Sequence, residues 1–308
     1  MMKIAVIGST MMDVVSYVDK VPEAGETRES QGFHIAGGGK GANQAVAAAK
    51  LGADVLFVTS VGDDLFGRAC RKNYEACGID TRYVMTAKDM PNGVASIFVE
   101  ASGQNRIVIT KGANNALTPQ RLREAEAAIA SCGLIVLQLE IPLETVYAAI
   151  EMGRAHGIPV LLNPAPAVCD LDIAMACQCD FFVPNETELS VLTGCPTGTE
   201  EEIRQAAGLL VEKGLKNVIV TMGGQGSLWL SADGVQKVAA SRVKAVDSTG
   251  AGDSYIGCFA ETWGRTGDIQ QAMRRASRYA ALSVTHPGTQ DSYADREEFA
   301  KYLVQNNE

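Results

Sequence analysis

Residues Val243 to Phe259 read VKAVDSTGAGDSYIGCF, and both the fold and the chemistry of the chain turn on how this stretch is read. An apolar, strand-like segment runs into Asp247 and the turn formers Ser248 and Thr249. Gly250, Ala251 and Gly252 follow, then Asp253 and a helix predicted over 254–263. Small residues ahead of a helix let backbone approach a ligand closely, and first-turn N–H groups lack intrahelical acceptors, so the stretch makes an anion site. A carboxylate at the same helix start meets the positive end of the helix dipole and any reacting group held over the amides. Asp253 is thereby placed to take a proton beside a bound phosphate, which points to phosphoryl transfer. A flexible turn with Asp253 as a simple helix cap is the plainer alternative.

Outward from this stretch the pattern alternates. Lys3 to Ile7 is an apolar run ending in Gly8 and Ser9, as expected for a strand buried in a parallel sheet. Beyond Asp54 come the apolar VLFVTSVG, helices over 66–77, 119–131 and 143–156, and strands over 134–139 and 159–162. A strand over 181–183, helices over 189–192 and 201–213, a strand over 217–222 and a helix over 269–284 continue the series. Strands alternating with helices specify an α/β fold: a mostly parallel sheet with helices on both faces.

Two patches break the alternation. Val14 to Ile35 has apolar residues at every second position around a Pro22-Glu23-Ala24-Gly25 turn, and 93–110 reads as a hairpin, ASIFVE and NRIVIT flanking Ala101-Ser102-Gly103-Gln104. Together they predict one small β-sheet lid, built from 11–36 and 92–111, over a core of 1–10, 37–91 and 112–308.

With 308 residues and 46% hydrophobic content the chain can bury a large core. A net charge of −9 without long basic runs argues against a nucleic-acid surface. The start of the chain enters a strand without a basic region, apolar core and cleavage site, and no run reaches membrane-span length, so a soluble cytoplasmic protein with no membrane contact is expected. The eight cysteines are scattered and expected to be free thiols. Cys177-Gln178-Cys179 has neither a second pair nor a histidine at ligand spacing and fails as a zinc site.

Further candidates lie at predicted strand ends, where open α/β sheets bind ligands. Asp13 falls just past the first strand, and Glu140 just past the strand containing Gln138 and Leu139. Gly37-Gly38-Gly39-Lys40-Gly41-Ala42-Asn43-Gln44 runs into an Ala-rich helix but lacks GxxxxGK[ST], so it is no P-loop; it suits backbone lying against a small polar molecule, with Lys40 and Asn43 donating hydrogen bonds. Asn185 and Glu188 share a first helical turn, either as a polar pair for phosphate or metal-bound water, or as an ordinary cap. Gly223-Gly224-Gln225-Gly226 makes a loop at a strand end that suits a nucleotide. His286, in the rigid turn from Thr285 to Gln290, reads as a loop residue more readily than as a base. Gly8-Ser9-Thr10 lacks the GxGxxG spacing of a dinucleotide site, which excludes an NAD oxidoreductase.

Two separated signatures, GGGKGANQA over Gly37 to Ala45 and DSTGAGDSYIG over Asp247 to Gly257, with Pro184-Asn185-Glu186-Thr187-Glu188 between them, resemble the ribokinase family of ATP-dependent carbohydrate kinases. The resemblance runs from Gly8 to about Ser292. It implies a three-layer α/β/α core, a β lid often used for homodimerisation, and transfer of the ATP γ-phosphoryl group to a sugar hydroxyl. By position Asp253 is then the general base, with Gly250, Ala251 and Gly252 the anion hole. Asp13, Gly39, Lys40, Asn43 and Glu140 hold the sugar. Asn185, Glu188, Thr221, Gly223, Gly224, Gly226 and Gly252 face ATP and Mg²⁺. Asp247, Thr249, Ser283, His286, Gly288 and Ser292 match a loop pair that holds a monovalent cation, so K⁺ activation is implied.

Two departures carry information. Ribokinases follow the first strand with Gly-Ser-x-Asn-x-Asp, whereas this chain has Met11 where the Asn is expected. A thioether cannot answer a hydroxyl as an amide does and prefers a CH₂ neighbour, which resembles the deoxyribokinase branch and implies 2-deoxy-D-ribose phosphorylated on its 5-hydroxyl. Ser277 stands where a ribokinase can offer His near the adenine. Ribokinase proper, a nucleoside kinase of the same fold and, in a different class, a non-catalytic sugar or nucleotide sensor are the competing readings.

Overall fold

A computed structural model describes residues 2–100, 102 and 104–306. In chain order, β1 (Lys3–Ile7) leads to β2 (Met11–Val18) and β3 (Gly32–Gly38), then α1 (Lys40–Lys50), β4 (Asp54–Gly62), α2 (Leu65–Ala76) and β5 (Asp80–Ala87). β6 (Val94–Glu100) and β7 (Asn105–Thr110) precede α3 (Pro119–Glu124), α4 (Glu126–Ile129), β8 (Leu134–Leu137), α5 (Leu143–His156), β9 (Val160–Leu162) and α6 (Ile173–Ala176). β10 (Phe181–Phe182), α7 (Glu186–Thr193), α8 (Glu200–Glu212), β11 (Val218–Thr221), β12 (Ser227–Ser231) and β13 (Gly234–Val238) follow, and α9 (Ala251–Thr266), α10 (Ile269–Ser283) and α11 (Arg296–Gln305) close the chain.

The main sheet has nine strands in the order β13-β12-β11-β10-β9-β8-β1-β4-β5, parallel except where β12 pairs with β11 and β13. β1 reads as an unbroken apolar run because both its faces are covered: Ala5 and Ile7 join one core cluster, Ile4 and Val6 the other. Strand order reverses at β1, which pairs with β4 on one side and β8 on the other, so a crevice opens at the carboxyl ends of β1 and β8. Gly8 to Thr10 and Gln138 to Glu140 leave the sheet there.

The small sheet, β3-β2-β6-β7, forms from the two insertions as expected. β2 runs antiparallel to β3 and parallel to β6, and β6 and β7 make the hairpin; of its expected turn, Ala101 and Gly103 lie outside the described residues. Asp13 belongs to β2, in the small sheet, and not to a turn beyond β1.

Other expectations are corrected. Residues 243–246 form no strand: Val246 is exposed, and the N–H groups of Val246 and Asp247 bond the Val284 carbonyl at the end of α10. The helix expected over 119–131 divides at Ala125, whose N–H reaches the i−3 carbonyl of Leu122; the tightened turn keeps Leu122, Ala125 and Ile129 all buried. α7 begins at Glu186, three residues earlier than expected, because Asn185 caps it. β5, α6, the β12–β13 hairpin and α11 have no counterpart in the expected series. All eight cysteines are unpaired. Among the described residues, no helix is long and apolar enough to cross a membrane.

Candidate active site

Two helices point their N-termini at the crevice. α1 starts after Gly39, whose φ of 87° and whose contact with the Thr10–Met11 backbone exclude a side chain: a Cβ there would lie 2.7 Å from the Met11 nitrogen. α9 starts after Gly250. Gly257 lets the two helices close, since a Cβ on it would sit 2.6 Å from that of Ala47. This approach brings Asn43 and Gln44 of α1 onto Asp253 of α9: Asn43 Nδ2 donates to Asp253 Oδ2 at 2.9 Å and Gln44 Nε2 to Oδ1 at 2.9 Å. Asp253 does not cap its helix: Gly250 holds the cap position, no side chain caps α9, and Asp253 lies within the first turn. Its carboxylate is buried and held by side chains 209 and 210 residues away in sequence.

On one side of Asp253 opens a cleft of about 890 Å³. Gly250, Ala251 and Gly252 line it beside Asp253 and Lys40. An added Cβ at Gly252 would meet nothing within 4 Å, so the first turn of α9 presents bare backbone to open space. Gly250 is different: its φ is +74°, and a Cβ would lie 2.3 Å from Thr289 Cγ2. Asn185, Glu188, Thr221, Gly223, Gly224, Gly226 and Ser277 line the same cleft. Thus every residue expected to face a nucleotide reaches one cavity. Asn185 and Glu188 also form the ordinary cap: Asn185 Oδ1 accepts from Glu188 N at 2.8 Å, and Glu188 Oε2 from Asn185 N at 2.8 Å. Burial holds the Glu188 carboxyl above its usual range.

On the other side lie Asp13, Asn43, Glu140 and Met11. Glu140 Oε2 accepts from Ser9 Oγ at 2.5 Å and from Lys40 N at 2.9 Å, satisfying an orphan donor of α1. Asp13 is buried, and a Cβ at Gly38 would collide with its carboxylate at 2.0 Å, so glycine there makes room for it. Burial, with the charges of Glu140 and Asp253, pushes the Asp13 carboxyl up to about 7. Burial works to lower the Lys40 ammonium, but Asp253, Glu140 and Glu188 outweigh it and hold its pKa above the ordinary value. Met11 is 1% exposed and packs with Ala95 and Ile97 on the face of the small sheet that also carries Asp13.

Behind the first turn of α9, Asp247 ties two loops, accepting from Thr249 N at 2.9 Å and Gly288 N at 3.0 Å. Burial opposes its ionisation, yet those hydrogen bonds leave its carboxyl below the usual range. Ser283 Oγ lies 3.1 Å from Ser254 Oγ, and Ser292 Oγ donates to the Thr289 carbonyl at 2.7 Å. His286 is exposed and engaged with Thr285 Oγ1 at 3.0 Å, and it does not line the cleft.

Sequence reading gave no role to Gln44, Gln138, Asn163 or Gln290, all buried polar residues around Asp253. The signal was present as amides set inside apolar or Ala-rich runs, where a polar side chain needs a partner. The partner itself is not visible from local sequence.

The pfkB family carbohydrate kinase pattern matches residues 1–296. Deoxyribokinase of Salmonella typhi is 54% identical over 305 residues, 99% of this chain and 100% of that protein. Ribokinase of Haemophilus influenzae is 37% identical, over 97% of this chain and 98% of its own length. Among solved structures, Arabidopsis thaliana ribokinase complexed with ribose and ATP superposes with a TM-score of 0.92 at 31% identity, covering 98% of each chain. Ribokinase of Thermotoga maritima reaches a TM-score of 0.90 at 34% identity, over 99% of this chain and 100% of that one. On its matched signatures, its full-length relatives and its architecture, this chain belongs to the pfkB family of carbohydrate kinases.

Proposed function

We propose that the enzyme transfers the γ-phosphoryl group of ATP to the 5-hydroxyl of 2-deoxy-D-ribose, with D-ribose as a poorer acceptor. The observation that carries the chemistry is Asp253, held by two amides between an open backbone-lined cleft and a buried pocket of acids. ATP fits the cleft, with adenine toward Ser277, and its triphosphate runs along Gly223 to Gly226 to the first turn of α9. The sugar fits beside Asp13, Gly39, Asn43 and Glu140. Asp253 takes the proton from the 5-hydroxyl as that oxygen attacks the γ-phosphorus and the bond from that phosphorus to the β–γ bridging oxygen breaks to release ADP, and the N–H groups of the first α9 turn, with Lys40, meet the charge on the transferring group. Two preorganised ends of one reaction line need little further motion than closure of the small sheet.

The donor set suits the implied ions. Asn185 and Glu188 offer oxygens on the cleft wall, a fit for Mg²⁺ that keeps most of its waters. When bound, the ion would offset phosphate charge. The loops of Asp247, Thr249, Ser283, His286, Gly288 and Ser292 would hold K⁺ against the base of the anion turn, most of them through backbone oxygens, with His286 the weakest member because it points to solvent.

Preference for the deoxy sugar is supported by the higher identity to a deoxyribokinase, 54%, than to a ribokinase, 37%. Met11 supports it physically: an apolar side chain on the Asp13 face is a poor neighbour for a 2-hydroxyl. The reading also includes a cytoplasmic homodimer joined through the small sheet. Strand alternation puts Phe33, Ile35 and Val108 on the face away from Asp13, and Phe33 is 69% and Val108 63% exposed, an apolar patch suited to a second copy. The test is ADP release over a pentose panel with and without K⁺. Deoxyribose should give the highest kcat/KM, with K⁺ raising turnover; ribose clearly ahead would make the enzyme a ribokinase, and no sugar-dependent ADP would leave a sensor.

A further inference from the structure

Side-chain amides reach Asp253 in two directed branches, one ending on each carboxylate oxygen. From one side, Asn73 Nδ2 donates to Gln290 Oε1 at 2.8 Å, Gln290 Nε2 to Asn43 Oδ1 at 2.9 Å, and Asn43 Nδ2 to Asp253 Oδ2 at 2.9 Å. From the other, Gln138 Nε2 donates to Gln44 Oε1 at 2.6 Å and Gln44 Nε2 to Asp253 Oδ1 at 2.9 Å. The same Gln44 nitrogen reaches Asn163 Oδ1 at 3.1 Å, and Asn163 Nδ2 in turn donates to the Val183 carbonyl at 2.8 Å, so both Gln44 hydrogens are committed.

An ionised carboxylate only accepts, so every amide has one permitted sense. Flipping Asn43 would set its carbonyl against the carboxylate and its NH₂ against that of Gln290. Gln44, Gln138 and Gln290 are at most 5% exposed, and water cannot substitute freely there. The chain is also tightly housed: a Cβ on Gly37 would lie 2.7 Å from Gln290 Oε1, and the Gln138 carbonyl, pressed against Gly8, is buried without a partner. The arrangement tolerates an unsatisfied acceptor at its outer end and none at the carboxylate.

We infer that Gln44 and Gln290 are positioning residues for phosphoryl transfer, Gln44 by gripping Oδ1 directly and Gln290 by forcing Asn43 to offer its NH₂, and not its carbonyl, to Oδ2. Their joint effect is to lock the carboxylate rotamer, with a lone pair on each oxygen engaged and the rest left for the acceptor hydroxyl. This rests on the reading of Asp253 as the base.

The test uses Gln44→Met and Gln290→Met, which keep side-chain volume and remove the amide, each alone and combined with Asp253→Asn. In the parent background kcat should fall about 10- to 100-fold, the loss that follows when a reacting group is misplaced by about 1 Å, while KM for ATP changes less than about two-fold. In the Asp253→Asn background neither change should reduce kcat further, because residues acting through one group are not additive. A merely structural role would multiply the two losses, and that result, or a kcat within about two-fold of the parent, overturns the proposal. If Gln44→Met does not fold, Gln138→Met removes the donor onto Gln44 without touching Asp253 and is read by the same criteria. Near-parental turnover in Asp253→Asn alone would instead overturn the reading of Asp253, which the double variants distinguish from failure of the amide chain.

Discussion

On the proposed acceptor side of Asp253 the site is made of buried side chains, Asp13 from β2, Asn43 and Gln44 from α1 and Glu140 from beyond β8, each paired or crowded by a residue of another segment. On the cleft side it is made of backbone, the first turn of α9 and the Gly223 to Gly226 loop, with few side chains and open space above Gly252. The difference matches what the proposed function asks each side to recognise. A triphosphate offers dense charge that any set of N–H groups can meet, whereas one pentose differs from another by a single hydroxyl, which only positioned side chains can read. On the proposed function, specificity is expected where burial and pairing are tightest.

The contrast is broken most severely by Asp253→Asn, which removes the group shared by both sides. Turnover should fall about 10²- to 10⁴-fold while ATP affinity, measured by calorimetry, stays near the parental value. Next, Gly252→Val puts a side chain into free space: kcat/KM for ATP should drop about 100-fold as the amides are covered, with the melting temperature within a few degrees of the parent. A large loss of Tm would show that the bare turn is structural.

A smaller effect is expected on the acceptor side alone. Asp13→Asn should lower kcat/KM for the sugar about 10- to 100-fold and leave KM for ATP unmoved, as for loss of one charge-assisted hydrogen bond. The carboxyl of Asp13 is raised from 3.8 to about 7 in the folded enzyme. Because the folded state holds this proton more tightly than the unfolded chain, the group's ionisation costs nothing below about pH 4, costs progressively more stability as pH rises toward 7, and adds nothing beyond it. Sugar hydroxyls that donate to the ionised form reverse part of that cost, so sugar KM should fall as pH rises through about 7 in the parent and stay flat in Asp13→Asn. The smallest change sharpens the comparison: Met11→Asn should move the ratio of kcat/KM for ribose to deoxyribose toward ribose by about 10-fold. An unmoved ratio would place discrimination elsewhere on the small sheet.

Most of the nucleotide side was legible in advance because it is local. Glycines before a helix, an Asn and a Glu at cap spacing, and a glycine loop after a strand are each complete within a few residues, and every one of them reaches the cleft. The strand expected at 243–246 failed for the opposite reason: four apolar-leaning residues have no sheet neighbour and attach to the end of α10. The β12–β13 hairpin turns at Ala232-Asp233 with Gly234 opening β13, a local turn signal that the alternation of longer elements does not reveal.

By itself, the sequence determined the alternating α/β architecture, the inserted small sheet, the Asp253 turn and the family, since periodicity and contiguous motifs depend only on neighbours along the chain. Tertiary structure alone decided that Asp13 sits in a strand with its proton held to about pH 7, that Met11 shares its face, and that amides from five segments link through Asn43 and Gln44 to one carboxylate. Burial, direction of hydrogen bonding and the closeness of two helix ends that Gly257 permits are properties of residues far apart in sequence, and they exist only once the core has packed.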